Sequence, residues 1–532
     1  MPLSGRKSPS TFSRRKMPMD PLRSTRSMFD FFQQHVSRVF ASVFLRRRDE
    51  SAIEEGGERD GNLSSHRVLR KFAYLLSAHW FREGLAALFM ISLARHNTTT
   101  YGEFVLALSV GQIILFVAEF GLNQHLVPLL VRKENEQGDI LVQVSMLKGM
   151  LLACECLGMF FFVHWQGYSH GLKMLVFVLG IGVGMEALAS SFFVAFEVEG
   201  HQDREGKIKA MGATLGFGYG LSLLFLGAAP LIVAFYKIVE TAANLAGVLF
   251  TFAKRASLRF RLPRISHIWA TGRGSIAFTL MAIAAILYNK ANIFFLQRFG
   301  GPTHVAQYSV TWEMVDGIST LTVNLLLKNI LFPLFVKLWE TDRVELARLV
   351  RNSTEWLLAA ALPIMFVLFI ESDRLIGLIY GPAYGEAVWM QKYLVPTIAI
   401  GFLHNLAAYL MISMKHEFLL LSFYLGGLVF NIICCAVFIP ANPLLGSVLA
   451  IVSTKAVVAA ATVSTCQLRF GLISKTALFH LISTATLGGI LYLLSRIYLS
   501  REASEILALL PVLTLACYWW HEFNKSRRTH LC

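Results

Sequence analysis

Residues 92–132 read SLARHNTTTYGEFVLALSVGQIILFVAEFGLNQHLVPLLVR. From Phe104 to Val131 the stretch is a continuous apolar run with Glu119 as its one acidic side chain. A bilayer core takes about 20 apolar residues per helix, so the run is long enough to cross one. A membrane β-strand would instead show about ten residues of alternating polarity. Working outward, runs of the same kind occupy roughly 72–94, 104–131, 140–165, 172–197, 207–229, 231–253, 275–297, 305–336, 356–371, 387–413, 418–439, 445–467, 477–494 and 505–520. They predict an all-α polytopic membrane protein with about 14 transmembrane helices. Composition agrees, with 55% hydrophobic and 16% charged residues and a mean hydropathy of +0.55. A soluble chain would sit near about 45–50% apolar and about 25% charged. An ordinary cytosolic enzyme, a disordered tail protein and a disulfide scaffold are thereby excluded.

The chain carries 49 Lys and Arg against 34 Asp and Glu, a formal net charge of +15. In a membrane protein such an excess first marks orientation, because Lys and Arg concentrate in cytoplasmic loops. With the amino terminus inside, the expected inner connections hold Arg132, Lys133, Arg204, Lys207, Lys209, the basic residues of 254–274, Lys337, Arg343, Arg348 and Arg351. The expected outer ones hold Arg95, Lys173, Arg298, Arg374, Arg496 and Arg501. Both termini are therefore expected on the cytoplasmic side of the inner membrane, and no nucleic acid partner is needed to explain the charge. Residues 1–71 are Arg- and Ser-rich and end in DESAIEEGGERDG. Within them Phe29, Phe32, Val36, Val39, Phe40 and Val43 fall at helical spacing before Arg46, Arg47 and Arg48. That pattern fits an amphipathic helix on anionic lipid; an unstructured tail, an upstream start or a transit peptide would share the composition. All seven cysteines lie in spans or the inner tail, so no disulfide framework is implied.

The chain is also self-similar. LARHNTTTYGEFVLALSV (93–110) and NQHLVPLLVRK (123–133) are echoed by LQRFGGPTHVAQYSVTWEM (296–314) and KNILFPLFVKL (328–338). Arg95 matches Arg298, Gly102 falls on Ala306, and Pro128 matches Pro333. Two six-helix halves follow, 72–253 and 275–467, joined by the basic linker 254–274. An extension at 1–71, two further helices in 468–520 and a tail at 521–532 complete the expected organisation. Six being even, both halves begin on the same side, so an axis along the membrane normal relates them.

The 92–132 stretch resembles the opening of polysaccharide exporters of the multidrug/oligosaccharidyl-lipid/polysaccharide (MOP) flippase superfamily, in which an ARYLG-like turn, a Y/F-G pair and an FGLN-type segment recur. YNKANIFFLQRFGGPTHVAQYSVTWEM (288–314), LFPLFVKL (331–338), IYGPAYGEAVWMQKYLVP (379–396) and NIICCAVFIPANPLLGSVLAIVSTKAVVA (431–459) are similar to later segments of that family. The likeness covers about residues 72–470 and rests on the order of these diffuse motifs. One departure is Asn292, where an acidic residue is common. The resemblance implies a V-shaped bundle of twelve to fourteen helices that is not an enzyme and needs no cofactor. Such a protein flips a polyprenyl-diphosphate-linked oligosaccharide outward by alternating access, beside polysaccharide polymerase and glycosyltransferases.

Charges inside the spans are the candidate site, because each costs about 2.5–3.5 kcal/mol at the bilayer centre on the insertion scale and wants a partner or a wet cavity. Lys237 and Glu240, three apart, are expected to neutralise each other. Arg82 and the adjacent Glu83 diverge around the helix, which frees Arg82 for a cavity. Lys290 stands in a polar NKAN patch with Asn289 and Asn292, and Lys455 sits mid-span among small residues. These five, Arg82, Lys290, Lys455, Asn289 and Asn292, are the expected substrate-binding residues, with Arg82 and Lys290 gripping the diphosphate. Lys148, Lys328 and Lys392 lie near enough to span ends to snorkel. Glu313, Asp316 and Glu119 are the candidates for ion or proton coupling. Gly180, Gly182 and Gly184 lie within a span and suggest helix contact rather than a nucleotide loop. Gly212, Gly216 and Gly220 form a small-residue face. No histidine has metal-ligand spacing, and no metal is expected.

A lipid-linked oligosaccharide flippase is the leading expectation. A drug or cation antiporter of the same superfamily would prefer carboxylates where the chain has Arg82 and Lys290. A membrane glycosyltransferase would need a larger outer loop than 372–386, and a non-transporting scaffold would tolerate loss of the intramembrane cations.

Overall fold

The computed structural model describes residues 59–119, 122–123, 126–127, 130, 137–253 and 276–529. The amphipathic segment at 29–43 and the basic linker 254–274 lie outside these residues. By its contacts the chain divides into two units, Met1–Ala73 and Tyr74–Cys532; the start of one helix is what is described of the first. Among the described residues every regular element is a helix. In order they are α1 Arg59–His96, α2 Thr98–Glu119, α3 Gln137–Trp165, α4 His170–Val198, α5 Gln202–Phe225, α6 Pro230–Ala234, α7 Tyr236–Ala253, α8 Ile276–Phe299 and α9 Gly301–Thr322. There follow α10 Phe332–Thr341, α11 Arg343–Ile370, α12 Ser372–Ile379, α13 Gly385–Leu394, α14 Thr397–Ser413, α15 Glu417–Phe438, α16 Pro443–Phe470, α17 Lys475–Tyr498 and α18 Arg501–Thr529.

Among the described residues, twelve helical stretches are long and apolar enough to cross a membrane, and thirteen if α13 and α14 count as one bent span. The described residues thus supply twelve or thirteen of the about 14 expected. The span expected at 72–94 falls within α1, whose middle carries His79, Arg82 and Glu83 and which is not one of the twelve. Other boundaries also shift. The short run expected at 356–371 is the apolar end of α11, which begins at Arg343 because Asp342 caps the Val344 and Glu345 amides. The outer loop expected at 372–386 is instead largely α12 and a single turn at Pro382–Tyr384. The run at 387–413 is two helices bent by 48°, at a break next to Pro396, which cannot donate to the helix ladder. The long run near 305–336 is one stretch, Gly301–Thr341, with a π-type segment at Val323–Leu331.

Local chemistry explains the other ends. Asn97 accepts from the Thr100 amide at the start of α2, Ser169 caps α4, Asn442 caps α16 ahead of Pro443, and Ser474 caps α17. Gly471 ends α16 in the left-handed conformation. Large apolar side chains cover the outside, as on α3, where Met150, Leu157, Phe161 and Trp165 are exposed. A surface of that kind is suited to lipid.

Within residues 98–253, α2 packs on α4, α4 on α7 and α5 on α7. Within 276–470, α9 packs on α13 and α14, α14 on α16, and α15 on both α8 and α16. The two sets meet mainly where α2 runs beside α9. There Gly102 comes so close to Pro302 that a Cβ would fall 1.9 Å from its carbonyl oxygen. α17 and α18 pack on each other, and α18 docks on α11. An ion-pair cluster ties their ends: Arg501 bonds Glu371, Asp373 and Glu505, and Arg374 bonds Glu502. The hydrogen bond from Arg501 holds the Asp373 carboxyl well below the usual carboxylate range.

Candidate functional site

A cavity of about 460 Å³ opens among α8, α9, α14, α15 and α16, with Phe116 of α2 closing one side. Its chemistry is mixed. Tyr288, Tyr409 and Tyr424 supply aromatic faces; Asn289, Asn405, Ser319 and Thr320 supply neutral hydrogen-bonding groups. Lys455 and Asp316 supply one charge of each sign, 2.8 Å apart. The Lys455 ammonium also lies over the Trp312 ring, 4.3 Å from its centre, an arrangement that steadies a cation without neutralising it. His404 is fixed between Thr462 and Tyr424, each at 3.0 Å from a ring nitrogen. Asn289 donates to the Ala285 carbonyl, while its side-chain oxygen is buried with no hydrogen-bond partner among the described residues.

The other expected residues divide into separate groups. Lys290 stands 4.0 Å from Glu313 and neither lines the cavity. Asp316, on the same face of α9 as Glu313, turns to Lys455 instead. Asn292 is wholly buried in a joint of three helices: it donates to the Ser447 carbonyl at 2.8 Å and receives from Asn431 and Cys435. It therefore does not line the cavity either. Arg82 lies in the first half, 2.9 Å from Glu186 and 2.8 Å from Glu240. Lys237 bonds the same two carboxylates, at 3.1 and 2.9 Å. Two cations and two anions close a network, and Arg82 and Lys290 share no partner in it. Glu119 accepts from Asn123, whose oxygen in turn accepts from Lys148 at 2.6 Å. Lys148 is fully buried and also donates to Ala187 O and Ser190 Oγ, so it does not snorkel.

One end of the bundle is closed. Arg95 donates to the Leu378 and Ile379 carbonyls at the end of α12. The Tyr384 hydroxyl donates to Ala94 O at 3.0 Å, and Tyr384 meets Tyr101 edge on. Gln307 holds both Ala383 O and the Ala387 amide. These links join α1, α2 and α9 to the α12–α13 corner, and with the Gly102–Pro302 contact they seal that end.

Lys455 and Asn289, expected at a substrate site, and Asp316, a coupling candidate, line the same cavity. Sequence reasoning missed Trp312, Ser319, Thr320, His404, Asn405 and the three tyrosines as site residues. Their signal exists only in space, because four helices contribute them. Glu186 was visible as an acid in a span, but its two partners lie 51 and 104 residues away.

A model of the polysaccharide biosynthesis protein family matches residues 96–389. Among solved structures the chain is similar to the lipid II flippase MurJ in an inward closed conformation, at 12% identity and a TM-score of 0.62, over 84% of this chain and 99% of that one. It is similar to an inward-facing multidrug resistance MATE family transporter of the MOP superfamily at 14% identity and a TM-score of 0.58, over 73% and 94%. A MOP superfamily transporter from Pyrococcus furiosus, described with a binding pocket of reversed polarity, aligns at 12% identity and a TM-score of 0.53, over 76% and 95%. At these identities the likeness carries the fold alone. No curated protein matches the chain in sequence.

Proposed function

We propose, from the premise that the chain belongs to the polysaccharide biosynthesis protein family and has the MOP superfamily fold, that it is a flippase exporting a polyprenyl-diphosphate-linked oligosaccharide for surface polysaccharide synthesis. The observation that carries this reading is the cavity, where a lysine, amides, hydroxyls and tyrosine faces converge inside an apolar bundle. A lipid-linked saccharide diphosphate presents the complementary groups. Its phosphates suit Lys455, and its sugar hydroxyls and ring faces suit the amides and aromatics. Asn289 adds an amide to that wall of the cavity, whereas Lys290, paired with Glu313 outside it, contributes only when Glu313 gives it up.

Arg82 contributes only when Glu186 or Glu240 gives it up, and Asn292 contributes by holding α8 on α16. Asp316 is the counter-ion that a phosphate displaces from Lys455; Glu313 and Glu119 remain the other coupling candidates. The repeated helix pairing, α2–α4 and α4–α7 beside α9–α14 and α14–α16, supports two related halves that rock against each other. The sealed end is then the outer one, with both termini in the cytoplasm of a cell with an inner membrane. Polymerase and glycosyltransferases are the expected partners in the same membrane.

A second reading, an antiporter of cationic drugs, is favoured by Asp316, which gives the same cavity a carboxylate. The two readings separate on charge. A strain lacking the protein is expected to accumulate polyprenyl-diphosphate glycan on the cytoplasmic side, and Lys455→Gln is expected to reproduce that accumulation at normal protein level. Intact surface polysaccharide without accumulation, together with drug sensitivity restored by the wild type and lost in Asp316→Asn, would select the antiporter.

A further inference from the structure

One intramembrane acid belongs to none of the pairs above. Glu155 lies near the middle of the span Gly138–Trp165. Both of its carboxyl oxygens are shielded from solvent and neither has a hydrogen-bond partner among the described residues. Seven residues advance a helix by nearly two whole turns, so Lys148, Glu155 and Phe162 form one stripe on α3. At one end of the stripe, Lys148 has three oxygen acceptors of its own. At the other, the Phe162 ring meets Phe294 of α8 edge on at 5.5 Å. Beside the stripe, Leu152 lies against Gly184 and Met159 against Gly180 of α4. Glu155 therefore sits in the corner where α3 meets α4 and, one level up, the first helix of the second half.

Among the described residues no neighbouring charge compensates it. On α2, Glu119 accepts from Asn123, and Glu103 stands at the opposite end of that helix. On α4, Glu186 is held by Arg82 and Lys237, while His170, Lys173 and Glu197 lie near its ends. On α8, Lys290 faces Glu313 and Arg298 is in the last turn. On α3 itself Cys156 is adjacent, and Asp139 and His164 lie near the ends. An ionised carboxylate with neither water nor a partner is far costlier to bury than the neutral acid.

We propose that Glu155 is a proton-binding site, neutral in this end-closed conformation, which exchanges its proton with water when the seam between α3 and α8 opens. The step is a simple ionisation: the carboxyl O–H bond breaks, its electron pair stays on the carboxylate, and the proton leaves on water. Loading from outside and release inside would couple inward proton movement to export. That coupling rests on the transporter reading; the proton site does not.

The test uses the full-length protein in lipid vesicles. An infrared band of a carboxylic acid at neutral pH is expected in the wild type, lost in Glu155→Gln, and shifted on transfer to heavy water. Identical spectra for the two proteins overturn the proposal, as does a band that never shifts in heavy water, which marks a sealed structural acid. In vesicles given polyprenyl-diphosphate monosaccharide, an inward proton gradient is expected to speed wild-type movement, to lose its effect in Glu155→Gln and to regain it in Glu155→Asp. Equal stimulation of wild type and Glu155→Gln overturns the coupling. If the wild type moves no lipid at all, the flippase reading fails and the infrared arm still decides the proton site.

Discussion

Glu240 is wholly buried and accepts from both Arg82 and Lys237. Removing one member of such a network leaves a buried charge without compensation, at a cost of about 3–5 kcal/mol. Glu240→Gln is therefore expected to lower the melting temperature of the detergent-solubilised protein clearly, and Glu240→Gln combined with Lys237→Met should recover much of the loss by restoring balance. Equal melting of the single variant and the wild type would show that the network contributes nothing to stability. At this scale the sequence was half legible. The Lys237–Glu240 pair follows from spacing on one helix, because i and i+3 positions face the same way. Arg82 and Glu186 complete the network from two other helices, and no local pattern encodes which helices become neighbours. Lys148 misled for the same reason: its position near a span end suggested snorkelling, yet Asn123, Ala187 and Ser190 converge on it inside the bundle.

Helices approach where side chains are missing. On α5 a Cβ at Gly216 would lie 2.5 Å from the Glu240 Cβ and 2.8 Å from the Tyr236 carbonyl oxygen of α7, whereas one at Gly218 would meet nothing within 4 Å. The four-residue glycine spacing makes this contact face legible from the sequence, and its partner, α7, is what the structure adds. Overpacking a close contact costs about 1–3 kcal/mol, while a glycine exposed on a helix costs up to about 1 kcal/mol relative to alanine. Gly216→Ala is thus expected to lower thermal stability, and Gly218→Ala to leave it unchanged or raise it. Similar melting of the two variants would mean that α5 and α7 are not packed at this distance. Element ends were less legible than element cores. α11 starts before its apolar part, because Asp342 caps a first turn of charged residues, and the Pro396 break divides a run whose hydropathy is continuous.

At the scale of the whole molecule, continuous hydropathy was enough to read an all-helical membrane bundle, since length and apolar character are properties of each segment alone. The span count was less secure, because α1 combines the length of a span with ionisable groups that an apolar test rejects. Which conformation the bundle adopts is set by contacts between distant segments, above all at the end sealed by Arg95, Tyr384 and the approach of Gly102 to Pro302. The proposed alternating access requires that this end also open. A side chain at Gly102 would press on the Pro302 backbone, which has no flexible end to move aside, so Gly102→Leu is incompatible with the closure seen here. The variant is expected to reach the membrane at normal level and to lose flipping activity. Val305→Cys, buried at the same end of α9, should then react with a membrane-impermeant maleimide added from outside in the Gly102→Leu background and resist it in the Gly102 background. Wild-type export by Gly102→Leu, with Val305→Cys equally protected in both, would mean that the seal is not a gate of the transport cycle.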